Sequence, residues 1–126
     1  MMSTKSPTLL VYHNQEIVYQ SNENWLYPLF SLEKFLSHHP LNMRQVKIHD
    51  KVIGKAAAML IARLKPGWVH GVLMSQLAVG FLEQEGIPYS FDQVVNRIQC
   101  KTETILLEVD DIEEAYQILC KRAKRC

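Results

Sequence analysis

Long apolar runs are missing from this chain. No uninterrupted stretch approaches the roughly 20 residues that a membrane span needs, so no membrane partner is expected. The opening MMSTKSPT carries one lysine but neither the apolar stretch nor the small-residue cleavage site of a signal peptide. Cysteine is scarce and odd in number. Cys100, Cys120 and Cys126 show no C-x-x-C spacing, which argues against a disulfide framework and against a cysteine-built zinc site. These absences together point to a reducing cytoplasm. Charge of one sign is lacking too: a net charge of +1 gives no global attraction to a polyanion. Without a basic, aromatic-studded face, nucleic acid is not an expected partner. The basic ending KRAKRC reads as a solvated, frayed helix end.

What is present suits one domain. A chain of 126 residues, 48% hydrophobic and 21% charged, has the size and composition of a globular unit with a single core. No internal repeat or low-complexity linker divides it, so residues 1–126 form one domain, frayed at about 1–7 and 121–126.

TLLVYHNQEIVYQS holds two β-rich runs separated by HNQ, the pattern of a hairpin. The spacing of Leu26, Leu29, Phe30, Leu32, Phe35 and Leu36 predicts a helix from near Tyr27 or Pro28, ending before Pro40. RQVKIHD alternates as a strand, and from Lys51 to Leu64 the pattern is helical, with a core stripe of Ile53, Ala57, Leu60 and Leu64. Trp68 to Met74 reads as a buried-type strand. Ser75 then caps a helix that Gly86 terminates. IPYSF suggests a short strand, DQVVNRI a short helix capped by Asp92, and TILLEV a last strand. The final helix, DDIEEAYQILCKRAKR, starts at Asp110 or Asp111, with acids in its first turn and bases in its last. The order implies a layered α/β fold with helices covering a mixed sheet. Two strand-to-helix junctions, at Asp50–Lys55 and Met74–Ser75, would face one crevice at the carboxyl ends of neighbouring strands.

HDKVIGKAAAML breaks the dipole rule that the final helix obeys. Lys51 and Lys55 lie four residues apart, on one face, at what reads as a helix start. Each exposed lysine there costs roughly 0.3–1 kcal/mol, and a bound anion reverses the sign. Asp50 has three readings: neutralising a lysine, capping the helix, or acting as a general base if buried. The alternative is an ordinary N-cap flanked by solvated lysines. IGKA lacks the upstream glycine and following Ser/Thr of a phosphate loop, so an ATP-binding P-loop is not expected. His49 and His70, on strands, read as structural histidines rather than metal ligands, and Trp25 and Trp68 as packing residues.

DKVIGKAAAMLIARLKP, followed by GVLMSQLAVGFLEQEGIPYSFDQVVNRIQCKTE, resembles a small uncharacterised bacterial and archaeal family, a domain of unknown function with a cytidine-deaminase-like fold. Asn96, Arg97, Cys100 and Glu103 support the resemblance, and the chain departs from the family where Lys101 replaces a usual proline. The resemblance implies a three-layer α/β/α sandwich with a mixed sheet. In true deaminases the two core helices begin with His-x-Glu or Cys-x-Glu and with Pro-Cys-x-x-Cys, which hold zinc. The matching starts here read IGKAAA and LMSQLA, so zinc-dependent deamination is rejected and no metal or other cofactor is expected.

The expected site comprises Asp50, Lys51, Gly54 and Lys55 at the first helix mouth, Ser75 at the second, and Arg97, Cys100 and Glu103 nearby. Asp50 and Cys100 are the candidate chemical groups, with Cys100 otherwise a structural thiol. Ser75 is a cap before it is a nucleophile, because no histidine pairs with it in sequence. Arg97 either recognises an anion or pairs with an acid. Two functions follow. One is a metal-independent pocket for a small anionic metabolite such as a nucleotide or nucleotide sugar, with catalysis open. The other is a non-catalytic interaction module on a deaminase-type scaffold, serving a partner or forming a homodimer.

Overall fold

The strand-rich N-terminal runs pair as expected. In the computed structural model, which describes residues 7–98 and 105–124, β1 (Leu9–His13) and β2 (Glu16–Ser21) form an antiparallel hairpin. Asn14 and Gln15 close it at φ 52° and 74°, the double left-handed geometry that matches strand twist in a two-residue turn. A bulge between Val11 and Tyr12 keeps Tyr19 on the core side, where its ring meets Phe35 at 4.9 Å.

Helix α1 (Tyr27–His38) starts with Pro28 in its first turn, where a missing N–H costs nothing. A short 3₁₀ turn, Met43–Gln45, leads into β3 (Val46–Ile53). The next elements are α2 (Lys55–Leu64), β4 (Trp68–Ser75), α3 (Gln76–Gln84), β5 (Tyr89–Val95) and α4 (Ile112–Ala123). The five strands make one mixed sheet in the order β2-β1-β3-β4-β5, with β1 antiparallel to both neighbours and β3, β4 and β5 parallel.

Three expectations are corrected. The helix expected from Lys51 begins at Lys55, because Lys51–Ile53 continue β3 and pair alongside β4. DQVV of the expected DQVVNRI helix is strand: its β-branched residues extend β5 along β4 as far as Ser75↔Val95. Residues 105–108 form a helical turn instead of a strand.

Layering differs as well. The units β3-α2-β4 and β4-α3-β5 advance in the same direction across the sheet, and right-handed crossovers then put both helices on one face. Helices α1, α3 and α4 all pack on α2. Every residue from Lys55 to Ala62 is buried, since α2 has the sheet beneath it and helices around it. The small side chains of Ala56, Ala57 and Ala58 permit that close approach. Among the described residues, helices cover one face only, in place of the expected sheet between two helical layers.

The second face carries two cross-strand rows: Ile17, Tyr12, Lys47 and Trp68, then Leu10, His49, His70 and Ser90. The core lies opposite, built on Leu9, Val11, Ile48, Ile53, Val69 and Met74 beneath Leu32, Met59, Ile61 and Leu82. Two glycines mark tight approaches. A Cβ on Gly67 would stand 2.1 Å from the Arg44 carbonyl oxygen, and one on Gly71 2.8 Å from Met74 Cγ. Among the described residues, no helix is long and apolar enough to cross a membrane.

Candidate functional site

Alternation along β3 places Val46 and Ile48 in the core, and the next position on that face is Asp50. A carboxyl therefore stands where the pattern calls for an apolar side chain. Its side chain is half-buried and opens into a cavity of about 380 Å³. Desolvation raises its pKa from 3.8 to about 7, against the opposing effect of hydrogen bonds from the Lys51 and Val52 backbone N–H groups. At neutral pH this carboxyl is divided between an acceptor-only form and one that also donates, as acid–base chemistry or recognition of a mixed donor–acceptor edge requires.

The cavity lies where the end of β3, the start of α2 and the β2–α1 connection converge. One wall is Lys51, Val52 and Gly54; a second is Ala56 and Ala57 on the first turn of α2; the third is Glu23, Asn24, Trp25 and Leu26. Thr8 and Ile98 complete it. The third wall is braced by local hydrogen bonds. The Thr8 hydroxyl is within bonding distance of the carbonyls of Ser21 (3.1 Å) and Glu23 (2.7 Å), and the Ser31 hydroxyl donates to Glu23 Oε1 at 3.1 Å. Trp25 takes φ 59°, a left-handed conformation unusual for a bulky residue, with its ring edge-on to Tyr27 at 5.2 Å. It remains 39% exposed, so this indole lines a pocket instead of serving only as the packing residue expected of it.

Helix α2 opens into the cavity without a side-chain cap. Gly54 is its N-cap residue and has no side chain to offer, so the expectation that Asp50 caps this helix is overturned. The other two helices that follow a serine or aspartate are capped, Ser75 Oγ accepting from Ala78 N at 3.1 Å and Asp111 Oδ2 from Glu114 N at 3.2 Å. Among the described residues no side chain caps the N–H groups of this first turn, and the positive end of the dipole lies at the pocket wall formed by Ala56 and Ala57. Lys51 adds a full charge at the rim; it is exposed and makes no ion pair among the described residues.

Lys55 answers differently from its expected role. Its side chain is 6% exposed and turns away from the cavity, and its ammonium donates to Asp110 Oδ1 at 2.9 Å and to the Leu107 carbonyl at 3.2 Å. The cation at the helix start is balanced by an acid 55 residues along the chain. It tethers the segment before α4 and is not among the described residues that line the cavity. The paired Lys51–Lys55 niche is therefore wrong, because the two residues belong to different elements.

Ser75 is fully buried as the cap of α3 and is not among the described residues that line this cavity. Arg97 is exposed beside Ile98 without lining the cavity itself. Cys100 and Glu103 lie outside the described residues. Cys120, buried on α4, is disulfide-bonded, which removes the argument from an odd cysteine count to a reducing compartment. Among the described residues, no three His, Cys, Asp or Glu side chains are grouped so as to hold a metal. Sequence reasoning missed Trp25, Thr8 and Ile98. A signal was available for the first: Trp25 follows the polar run Asn22-Glu23-Asn24 and precedes the helical stripe, an odd place for a core indole.

Comparison with curated proteins finds no match. Among solved structures, the crystal structure of a DUF1893 family protein, TM1506 from Thermotoga maritima, is similar at 27% identity with a TM-score of 0.82, covering 92% of this chain and 80% of that one. The sequence pattern of the TM1506 family, described as a domain of unknown function (DUF1893), matches residues 1–122. This chain therefore belongs to the DUF1893 family.

Proposed function

We propose that the chain binds, or acts on, a small anionic metabolite of nucleotide or nucleotide-sugar type in the Asp50–Lys51–Gly54 pocket, without a metal. The observation that carries this reading is the uncapped start of α2, opening beside the exposed Lys51 into a cavity walled by Trp25. A phosphate or carboxylate group fits the backbone N–H groups and the lysine. A planar, partly apolar ring fits the indole, and Asp50 offers one donor–acceptor carboxyl to the ring's polar edge. The cavity of about 380 Å³ suits a mononucleotide better than a bare anion. The site would be a deaminase-type pocket in position, serving chemistry other than zinc hydrolysis.

Calorimetric titration with nucleoside monophosphates, nucleotide sugars and inorganic phosphate tests this. Nucleotide binding is expected, with Lys51→Ala weakening it about five-fold through loss of an exposed charge-assisted contact. Absence of heat and of thermal stabilisation with every one of these ligands would overturn the proposal. The interaction-module reading draws support from the uncovered sheet face, where Ile17 and Trp68 are 54% and 42% exposed. Concentration-dependent self-association without ligand binding would favour it.

A further inference from the structure

Outside the pocket, on the uncovered sheet face, two short patterns meet: Trp68-x-His70 on β4 and Ser90-x-Asp92 on β5. His70 and Ser90 are direct partners in the parallel ladder, and alternation puts Trp68 and Asp92 on the same face. Ser90 Oγ lies 2.7 Å from His70 Nδ1, and Asp92 Oδ1 lies 3.2 Å from His70 Nε2. The Trp68 indole N–H donates to Ser90 Oγ at 3.0 Å.

Donor counting orients the protons. An indole N–H only donates, so Ser90 Oγ accepts from it. With neutral His70, Nε2–H donates to the Asp92 carboxylate, which leaves Nδ1 as the acceptor of the Ser90 hydroxyl proton. The base faces the hydroxyl and the carboxylate faces the base. The His49 ring stacks on His70 at 5.0 Å and fixes its plane from the other side. This is the division of roles in an activated serine, with the ring nitrogens exchanged relative to the familiar serine-protease arrangement.

We propose that Ser90, with His70 as base and Asp92 as its orienting acid, is a reactive nucleophile toward carboxylic esters and thioesters presented to the open sheet face. Ser90 Oγ attacks the carbonyl carbon while its proton passes to His70 Nδ1, and Asp92 holds the resulting imidazolium at Nε2. The bond from the carbonyl carbon to the leaving oxygen, or to the leaving sulfur of a thioester, breaks, and the departing alcohol or thiol takes the proton from Nδ1. Water then attacks the acyl-serine, giving its proton to His70. Collapse of this second adduct releases the carboxylic acid and returns the proton to Ser90. The Trp68 indole N–H is the pre-placed donor nearest an oxyanion formed at Ser90. One donor where efficient hydrolases use two predicts slow turnover.

The test uses 4-nitrophenyl acetate and a fluorophosphonate probe on the full chain, read by nitrophenolate release and by peptide mass mapping. The expected result is a single adduct on the peptide containing Ser90, absent in Ser90→Ala. His70→Gln slows acylation at least about 100-fold by removing the general base. Asp92→Asn slows it less. Thermal unfolding of the three variants near the parent temperature establishes that the chain is folded. An unlabelled Ser90 in the parent protein, or an acylation rate unchanged in folded His70→Gln, would overturn the proposal.

Discussion

Replacing Asp50 by asparagine should make the protein's stability less dependent on pH. Burial of the carboxyl in the helix-covered face of β3 moves its pKa from 3.8 to about 7. Between these values the folded chain holds a proton that the unfolded chain has released. Stability contributed by this group is complete below pH 4, falls as pH rises, and levels off above pH 7. At 1.36 kcal/mol per pH unit, the whole effect is roughly 4 kcal/mol. Asparagine keeps the shape and an oxygen for the Lys51 and Val52 N–H groups, and its amide replaces the acid proton without titrating. Urea denaturation of both proteins at intervals from pH 4 to 8 separates Asp50 from the other carboxylates, which contribute equally to each. The variant should gain on the parent steadily across this range and be the more stable of the two at pH 8. Parallel curves for the two proteins would refute the reasoning, showing the Asp50 carboxyl to be well hydrated. The same titration reaches the proposed ligand: an anion beside α2 should bind the parent more weakly above pH 7, and Asp50→Asn should flatten that decline.

Two further outcomes concern the frame around the pocket. Lys55→Met should lower stability by about 1–3 kcal/mol, because the Leu107 carbonyl and Asp110 lose a buried donor, while ligand affinity in calorimetry stays within about two-fold; a large affinity loss at unchanged stability would restore Lys55 as an anion ligand. Gly67→Ala should cost about 3 kcal/mol or more in thermal unfolding, since its Cβ would meet backbone at Arg44 that has no rotamer to change. A neutral substitution there would mean that the Met43–Gln45 turn shifts freely.

Much of the frame was written locally. The Asn14-Gln15 turn, the proline-led start of α1, the Ser75 and Asp111 caps, and the positive-φ Gly86 that ends α3 follow from residues acting within a few positions of one another. Turn chemistry and capping need no distant partner, so they are legible in neighbouring residues alone. The sequence also drew attention to Asp50, Lys51 and Gly54, which line the cavity beside α2, because a charged run beside a helix start is unusual in any fold.

Long-range pairing decided the rest. Lys51–Ile53 have helical spacing, yet the parallel ladder with β4 makes them strand and separates Lys51 from Lys55. DQVV became strand because β4 offered it hydrogen-bonding partners across the full length of β5. The charge of Lys55 is met by Asp110, and Trp25 comes to face α2 across the cavity. His70 gains Ser90 and Asp92 only when β4 and β5 lie side by side. The physical reason is common to all of these. Hydrogen bonds within a turn are fixed by chain geometry, whereas the dielectric environment and partner of a side chain are set by whatever other segment the fold brings against it.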